Sequence, residues 1–587
     1  MARPKLAIPQ NPNHVARNMW ARAQKQIDEG VRLQTVGRVD EAVEIYQSIL
    51  KTLPRHPDAL HLMGVALHAK GEYAQALELV NQAIDIYDQV AFFFNTRAVC
   101  LVGLRKYEEA LEAVDHALAM DPKLADAINN KALILPHLQR WQEAIDFAKE
   151  YLKLQPENHR AWFNVAVSMQ EYGQHLESLP YYEKSIELYP NQPHSYVNMA
   201  NAHKEMANWA EAQRLLTIAE EIDPDFAETY NVKGTVLKEI GKPRASLDYY
   251  TRAQELDPLK AKTYEYNRSL SQLLLGIMPH GWINYEHRWS VIDMPLALAG
   301  YMPWMGEDLT NKILLITREQ GQGDSIQFSR YIPLIKARWP TCTIKVNVDA
   351  GLDELIKTVE GIDEMLPSDN RPINLTWDYW VPMLSLPWIF QTRIDTIPCQ
   401  IPYIHPPQDS VDQWAHRVDK TKLNVGLVWS GGFRKDEPIV WSVNKRRNCD
   451  WDLFEQMVLT VKQQRPDIEF YSLQKGNPAE GEFKARLEQA NLPVVNLMDD
   501  VKNWVDTASL VSNLDLVISV DTSMVHLAGA IGRPVWMMNR LDTCWRWMLR
   551  RTDSPWYPSL RIFRQTKPKD WQHVLDEIVK NLLDLKK

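Results

Sequence analysis

The pattern of apolar and polar positions falls into two regimes that meet near residue 260. Over residues 23–260 it repeats every 34 residues: Pro54, Pro122, Pro156, Pro190, Pro224 and Pro258 share one register, with Asp88 where one proline is missing. Small residues return in that register at Gly30, Gly64, Ala98, Ala132, Ala166, Ala200 and Gly234, and again at Ala42, Ala76, Ala110, Ala144, Ser178, Ala212 and Ser246. Two small positions per repeat let paired helices approach closely, while a proline near the repeat end stops one helix and sets the turn into the next. The spacing predicts seven helical hairpins, beginning near residues 23, 57, 91, 125, 159, 193 and 227. A lone hairpin cannot bury its own apolar face, so the hairpins are expected to stack into a superhelix with a concave groove.

Beyond Pro258 the period is lost, and a helical segment over 269–277 leads into an aromatic stretch from Gly281 to Trp289. Its embedded Glu286 and Arg288 predict a packed joint whose geometry an ion pair fixes. From Asn311 the pattern becomes short apolar runs followed by glycine loops. The run 312–316, the loop carrying Gly321 and Gly323, and an amphipathic helix around 326–339 form the strand, loop and helix that open a Rossmann-like unit. Further strands are expected at 343–348 and 379–383. A second opening follows at 424–429 with Ser430-Gly431-Gly432, then strands at 470–474 and 514–520. The expected layout is an extension over 1–22, helical repeats over 23–260, a joint over 261–310, and α/β domains over 311–420 and 421–587.

Composition narrows this picture. A chain of 587 residues exceeds what one hydrophobic core holds, and 45% hydrophobic with 24% charged residues is ordinary for folded domains. A net charge of -9 argues against sequence-independent nucleic-acid binding, which needs a basic face. The five cysteines are scattered singly, without CxxC pairs, which predicts reduced thiols and no metal centre. Residues 1–18 lack the apolar core of a signal peptide, and nowhere do about 18 apolar residues run together. The expectation is a cytoplasmic protein with no integral membrane segment.

The 34-residue pattern resembles that of tetratricopeptide-repeat (TPR) proteins. Asn130, Asn164 and Asn198 lie one period apart on the first helix of successive repeats, the position that usually faces the concavity in TPR proteins. An amide offers donor and acceptor to any peptide backbone, and the arrangement resembles the asparagine ladder of TPR-bearing O-linked N-acetylglucosamine transferases. The resemblance implies that these residues bind a polypeptide acceptor. The other reading is a solvated helix position that tolerates asparagine.

Residues 304–580 resemble GT-B glycosyltransferases of the heptosyltransferase type (glycosyltransferase family 9), above all their TPR-linked bacterial members. The anchors are Glu319-Gln320-Gly321-Gln322-Gly323-Asp324, Gly426-Leu427-Val428-Trp429-Ser430-Gly431 and Asp521-Thr522-Ser523-Met524-Val525-His526-Leu527-Ala528. The resemblance implies two Rossmann-like domains in a GT-B arrangement, a nucleotide-sugar donor as substrate, no cofactor and no required metal. In that family the acid after the glycine acts as base, which points to Asp324, with Glu319 as the competing base; Asp324 also suits the N-cap of the following helix. A carboxylate there takes the acceptor hydroxyl's proton as the anomeric carbon is attacked.

Asp521, Thr522 and Ser523 stand between a strand and a helix, where backbone N–H groups and the helix dipole favour a pyrophosphate. Capping of that helix alone is the second reading. The family has glycine where this chain has Ser523. His526, one turn on, suits a phosphate or sugar hydroxyl. Gly323, Ser430, Gly431, Gln474 and Lys475 complete the expected donor site, and Lys435, Lys445, Arg446 and Arg447 are the candidate cations for the leaving group. The aromatics of 545–547 and 553–558 are read mainly as core.

Together these features predict a glycosyltransferase acting on a Ser or Thr hydroxyl of a protein held by the repeats, with flagellin as one acceptor that the resemblance implies. Two alternatives stand beside it: a TPR adaptor whose GT-B half has lost activity, and a transferase for a glycan or lipid-linked saccharide.

Overall fold

Each predicted hairpin has a physical origin that is visible in the computed structural model, which describes residues 14–291, 302–366, 376–433, 440–490 and 492–586. The helix pairs run from His14–Thr35 with Val39–Thr52 through Ala227–Glu239 with Pro243–Leu256, seven in all, in the register expected. The small positions are where the paired helices touch. A Cβ on Gly30 would meet the Tyr46 ring at 2.6 Å, and one on Gly234 the Tyr250 ring at 2.7 Å. Ala42, Ala76, Ala110 and Ala212 are fully buried.

The turn inside each hairpin places one residue in the left-handed region, at positions 37, 71, 105, 139, 173, 207 and 241, with φ between 59° and 82°. Glycine fills four of these, whereas Arg105, Gln139 and Ala207 accept a conformation that costs an L-residue about 1 kcal/mol. An eighth hairpin, Ala261–Leu274 with Met278–Tyr285, follows the seven and forms most of the joint.

The compact units divide at Asn198/Met199, inside the repeats and not at the residue-260 boundary of the pattern. In the first unit, Met1–Asn198, hairpins pack in sequence through cores such as that around Phe94, Leu101 and Val114. The second unit, Met199–Lys587, contains the later hairpins together with the α/β region. The reason lies in side chains. Arg446 reaches Glu205 and Glu239 of the repeat helices, and Trp282 and Tyr285 of the joint pack edge-on against Trp545 at 5.2 and 6.1 Å. The expected ion pair is present, Arg288 with Glu286 at 2.7 Å.

The α/β region holds two all-parallel sheets. The first contains β1 (Ile313–Thr317), β2 (Thr343–Asn347), β3 (Glu364–Leu366) and β4 (Tyr379–Pro382), in the order β3-β2-β1-β4. The second contains β5 (Leu423–Val428), β6 (Ile468–Ser472), β7 (Val494–Asn496), β8 (Leu516–Val520), β9 (Val535–Asn539) and β10 (Leu560–Arg564), in the order β10-β9-β8-β5-β6-β7. That is the doubly wound order, with its switch point between β5 and β8. The single amphipathic helix expected over 326–339 is instead two short ones, Gln322–Phe328 and Ile332–Arg338, joined by a 3₁₀ turn. Pro333 lacks the N–H that a continuous helix needs and stands in the first turn of the second. Among the described residues no helix is long and apolar enough to cross a membrane.

Candidate functional site

Parallel sheets gather loops at the carboxyl ends of their strands, and ligands bind where the strand order reverses. The loop after β1, residues 318–321, opens onto the helix Gln322–Phe328, and the residues after β8 open onto the helix Ser523–Ala530. The two helix starts touch. A Cβ on Gly323 would stand 2.9 Å from His526 Cδ2 and 3.3 Å from Ser523 Cα, so only glycine permits this approach. Gly323→Ala is expected to push the loops apart, at about 1–3 kcal/mol of stability. Thermal melting together with nucleoside diphosphate affinity checks this; an unchanged melt and unchanged affinity would show that the contact is slack.

Two cavities flank the contact. One, of about 740 Å³, is lined by Asp324, Asp521, Thr522, Ser523 and His526, with Arg318, Arg447, Arg540 and Arg546 around them. The other, of about 410 Å³, is lined by Ser430, Gly431, Gln474, Lys475, Trp504 and Met524 among others. Gln322, Gly431, Gly432, Thr522 and Ser523 line both. The larger cavity thus sets four guanidinium groups beside three aspartates, Asp324, Asp349 and Asp521, at the start of the helix Ser523–Ala530; Arg318 pairs with Asp349 and Arg546 with Asp324, and the remaining excess of positive charge suits an anion.

The individual side chains are tightly held. Asp324 accepts the Gly321 N–H at 2.9 Å through Oδ2, the reciprocal half of a capping box, and its Oδ1 pairs with Arg546. Thr522 caps its helix by accepting the Met524 N–H at 3.3 Å. Gln474 is almost fully buried and braces the glycine loop: Oε1 accepts from the N–H groups of Trp429 and Ser430 at 3.2 and 3.0 Å, while Nε2 donates to the Ser430 carbonyl. It therefore shapes the smaller cavity from behind. Lys475 Nζ donates to the Met498 carbonyl at 2.7 Å, so its ammonium is directed at the cavity wall. Burial, aided by Arg546 and Arg330, holds the His526 imidazole well below its ordinary pKa, and so neutral.

Two expectations from sequence need correction. Glu319 does not stand in either cavity; it is buried with both oxygens on Arg288 at 2.5 and 2.9 Å, which makes it a structural anion. Burial pushes its carboxyl above the ordinary value, with Arg288 opposing. Arg446 is equally unavailable to a phosphate. Its guanidinium is buried among Asp542 at 3.0 Å, Glu205 and Glu239, because the helix Trp441–Arg447 turns that face toward the repeats. Arg447, one residue on, lines the larger cavity and donates to the Asp521 carbonyl at 3.1 Å. Lys445 is exposed and lines neither cavity, and Lys435 lies outside the described residues.

Arg318, Arg540 and Arg546 went unread in the sequence. Arg546 sits between two buried tryptophans, a hint that an ion is being held in the core, but its partner Asp324 is 222 residues away.

The asparagines behave differently from a row of free amides. Asn130 Nδ2 donates to Asn95 Oδ1 at 2.9 Å and Asn164 Nδ2 to Asn129 Oδ1 at 2.7 Å, each linking neighbouring repeats, while Asn198 donates to the His194 carbonyl of its own helix. All three are half-buried. Each bond uses one amide proton and leaves further donor and acceptor capacity.

Comparison with known proteins defines a class for the first half. Tetratricopeptide-repeat families match residues 96–159, 181–214 and 227–258, and a family described as anaphase-promoting complex, cyclosome, subunit 3 matches 36–117. The N-terminal part is a TPR solenoid, and the protein is a TPR protein with an α/β C-terminal region. It is similar to Protein FlbA of Caulobacter vibrioides, with 26% identity over 344 residues, covering 54% of this chain and 55% of that protein. The chain thus spans about half the length of this curated relative. Among solved structures, a TPR protein of Parabacteroides merdae is 17% identical over 42% of this chain and 98% of its own, with a TM-score of 0.37. A thermophilic TPR protein of Thermus thermophilus is 23% identical over 31% of this chain and 98% of its own, with a TM-score of 0.29.

Proposed function

We propose that this protein is a glycosyltransferase of the GT-B type, moving a sugar from a nucleotide donor to a hydroxyl of a polypeptide bound by the TPR solenoid. One observation carries the reading: the loops after β1, β5 and β8 meet at two adjacent cavities that share lining residues, the larger of which presents Asp324, a helix N-terminus and four arginines. Asp324 takes the proton of the acceptor hydroxyl, the hydroxyl oxygen bonds to the anomeric carbon, and the bond to the nucleoside diphosphate breaks. The N–H groups at the start of Ser523–Ala530, with Arg447 and Arg540, take up the charge on the leaving diphosphate. That cationic set suits a mechanism that does not depend on a metal. The amide capacity left on Asn130 and Asn164 serves the acceptor backbone; a flagellin is one acceptor to try.

A second reading, a TPR adaptor without catalysis, has one observation in its favour: both oxygens of Asp324 are already engaged. The two readings separate when the full chain is incubated with a panel of nucleotide sugars and candidate polypeptides and followed by intact mass. Transfer predicts a gain of one sugar residue with release of nucleoside diphosphate. An adaptor gives neither, and a transferase for glycans or lipid-linked saccharides gives sugar release to those acceptors alone. Asn130→Ala with Asn164→Ala is expected to slow transfer to polypeptide about tenfold while sparing donor hydrolysis, the loss of hydrogen bonds worth about 0.5–1.5 kcal/mol each. Equal loss of both reactions would remove the acceptor role from these amides.

A further inference from the structure

His526 lines the larger cavity, yet what it offers a ligand depends on which ring nitrogen carries its proton. Its Nδ1 lies 3.0 Å from the Tyr557 hydroxyl, and its Nε2 has no hydrogen-bond partner among the described residues. Behind Tyr557 the protons can be counted. Arg330 is buried, and its acceptors are the carbonyls of Gln327, Pro398 and Trp556 and the Tyr403 hydroxyl, all neutral. The Tyr403 hydroxyl accepts from Arg330 at 2.9 Å and donates its own proton to the Ile326 carbonyl at 3.1 Å. Tyr557 then chooses between Tyr403 at 3.4 Å and His526 Nδ1 at 3.0 Å. An unprotonated imidazole nitrogen is a stronger acceptor than a phenol oxygen and is here the nearer of the two, so it takes the proton. Arg330 also stands 4.5 Å from the Tyr557 ring centroid, a cation that strengthens the phenol as a donor.

We infer that Tyr557, backed by Arg330 and Tyr403, is a positioning residue that fixes His526 as the neutral Nε2–H tautomer. The imidazole then presents a hydrogen-bond donor to the cavity, matched to an anionic oxygen such as that of a diphosphate, and has no lone pair there with which to act as a base. Only the naming of that ligand rests on the transferase reading; the tautomer stands on the hydrogen-bond network. Stacking against Trp547, at 5.4 Å and 24° between ring planes, keeps the imidazole from turning to exchange its nitrogens.

The test is long-range ¹H–¹⁵N correlation on the full chain labelled at histidine, with His526 assigned by its disappearance in His526→Gln. The wild-type spectrum is expected to show Nε2 protonated and Nδ1 bare at neutral pH, and Tyr557→Phe to average the two nitrogens. A protonated Nδ1 in the wild type, or an unchanged spectrum in Tyr557→Phe, overturns the inference. Should the variant fail to fold, the wild-type spectrum alone decides. Addition of UDP or GDP is expected to shift the Nε2 proton, with affinity about tenfold weaker in Tyr557→Phe. An Nε2–H imidazole that neither diphosphate perturbs upholds the tautomer and removes UDP and GDP as the ligand it faces, while the transfer assay above decides the transferase reading separately.

Discussion

Asp324→Asn is expected to lower sugar transfer by about 10²–10⁴-fold, the range over which a positioned base accelerates proton abstraction, while nucleoside diphosphate binding persists. The amide keeps the shape of the carboxylate and the bond from the Gly321 N–H, but it cannot take a proton. It also leaves the buried Arg546 without its anion. Thermal melting alongside single-turnover transfer therefore distinguishes lost chemistry from lost folding. Wild-type transfer rates in Asp324→Asn would assign the base elsewhere. Glu319 cannot serve as the substitute, because Arg288 holds both of its oxygens away from the cavities.

The second large effect concerns stability. Arg288 is fully buried and binds Glu286, both oxygens of Glu319 and the Ser385 hydroxyl. Arg288→Ala leaves a buried carboxylate without a counter-ion, and the expected loss is about 3–5 kcal/mol, read from urea denaturation. With the guanidinium gone, burial acts unopposed on Glu319 and raises its folded-state value further. A folded carboxyl that binds its proton above the unfolded value stabilises fully below the unfolded pKa and loses that contribution as pH rises through the folded one. The variant should therefore be more stable relative to wild type in mild acid than at neutral pH. Arg288→Met with Glu319→Leu is expected to recover much of the loss. A deficit in Arg288→Ala under 1 kcal/mol, or one independent of pH, would contradict this account of the joint.

The repeats were legible because their constraint is local: a small residue every 34 positions sits against an aromatic or aliphatic side chain of its own hairpin, as Gly30 does against Tyr46. The eighth hairpin escaped because Arg268 and His280 stand where the register calls for small residues. Strands β1, β5 and β8 announced themselves as apolar runs ending in polar or glycine loops. Strands β3 and β7 are three residues long, too short for any period to register. The site was half legible. Loops at strand ends are written in sequence, and Asp324, Thr522, Ser523 and His526 line one cavity. Basic side chains are not so written: Arg446 and Arg447 are neighbours in sequence, yet one faces the repeats and the other the cavity, a difference that helix rotation alone decides.

The wall common to both hollows has a consequence for the design of ligands. Fragments that occupy only one side each retain their own weak affinity, whereas a single compound threaded past Gln322 and Ser523 converts the second contact into an intramolecular one. Its linker must be slim where Gly323 brings the helices together, which favours a chain of single atoms over a ring at that point.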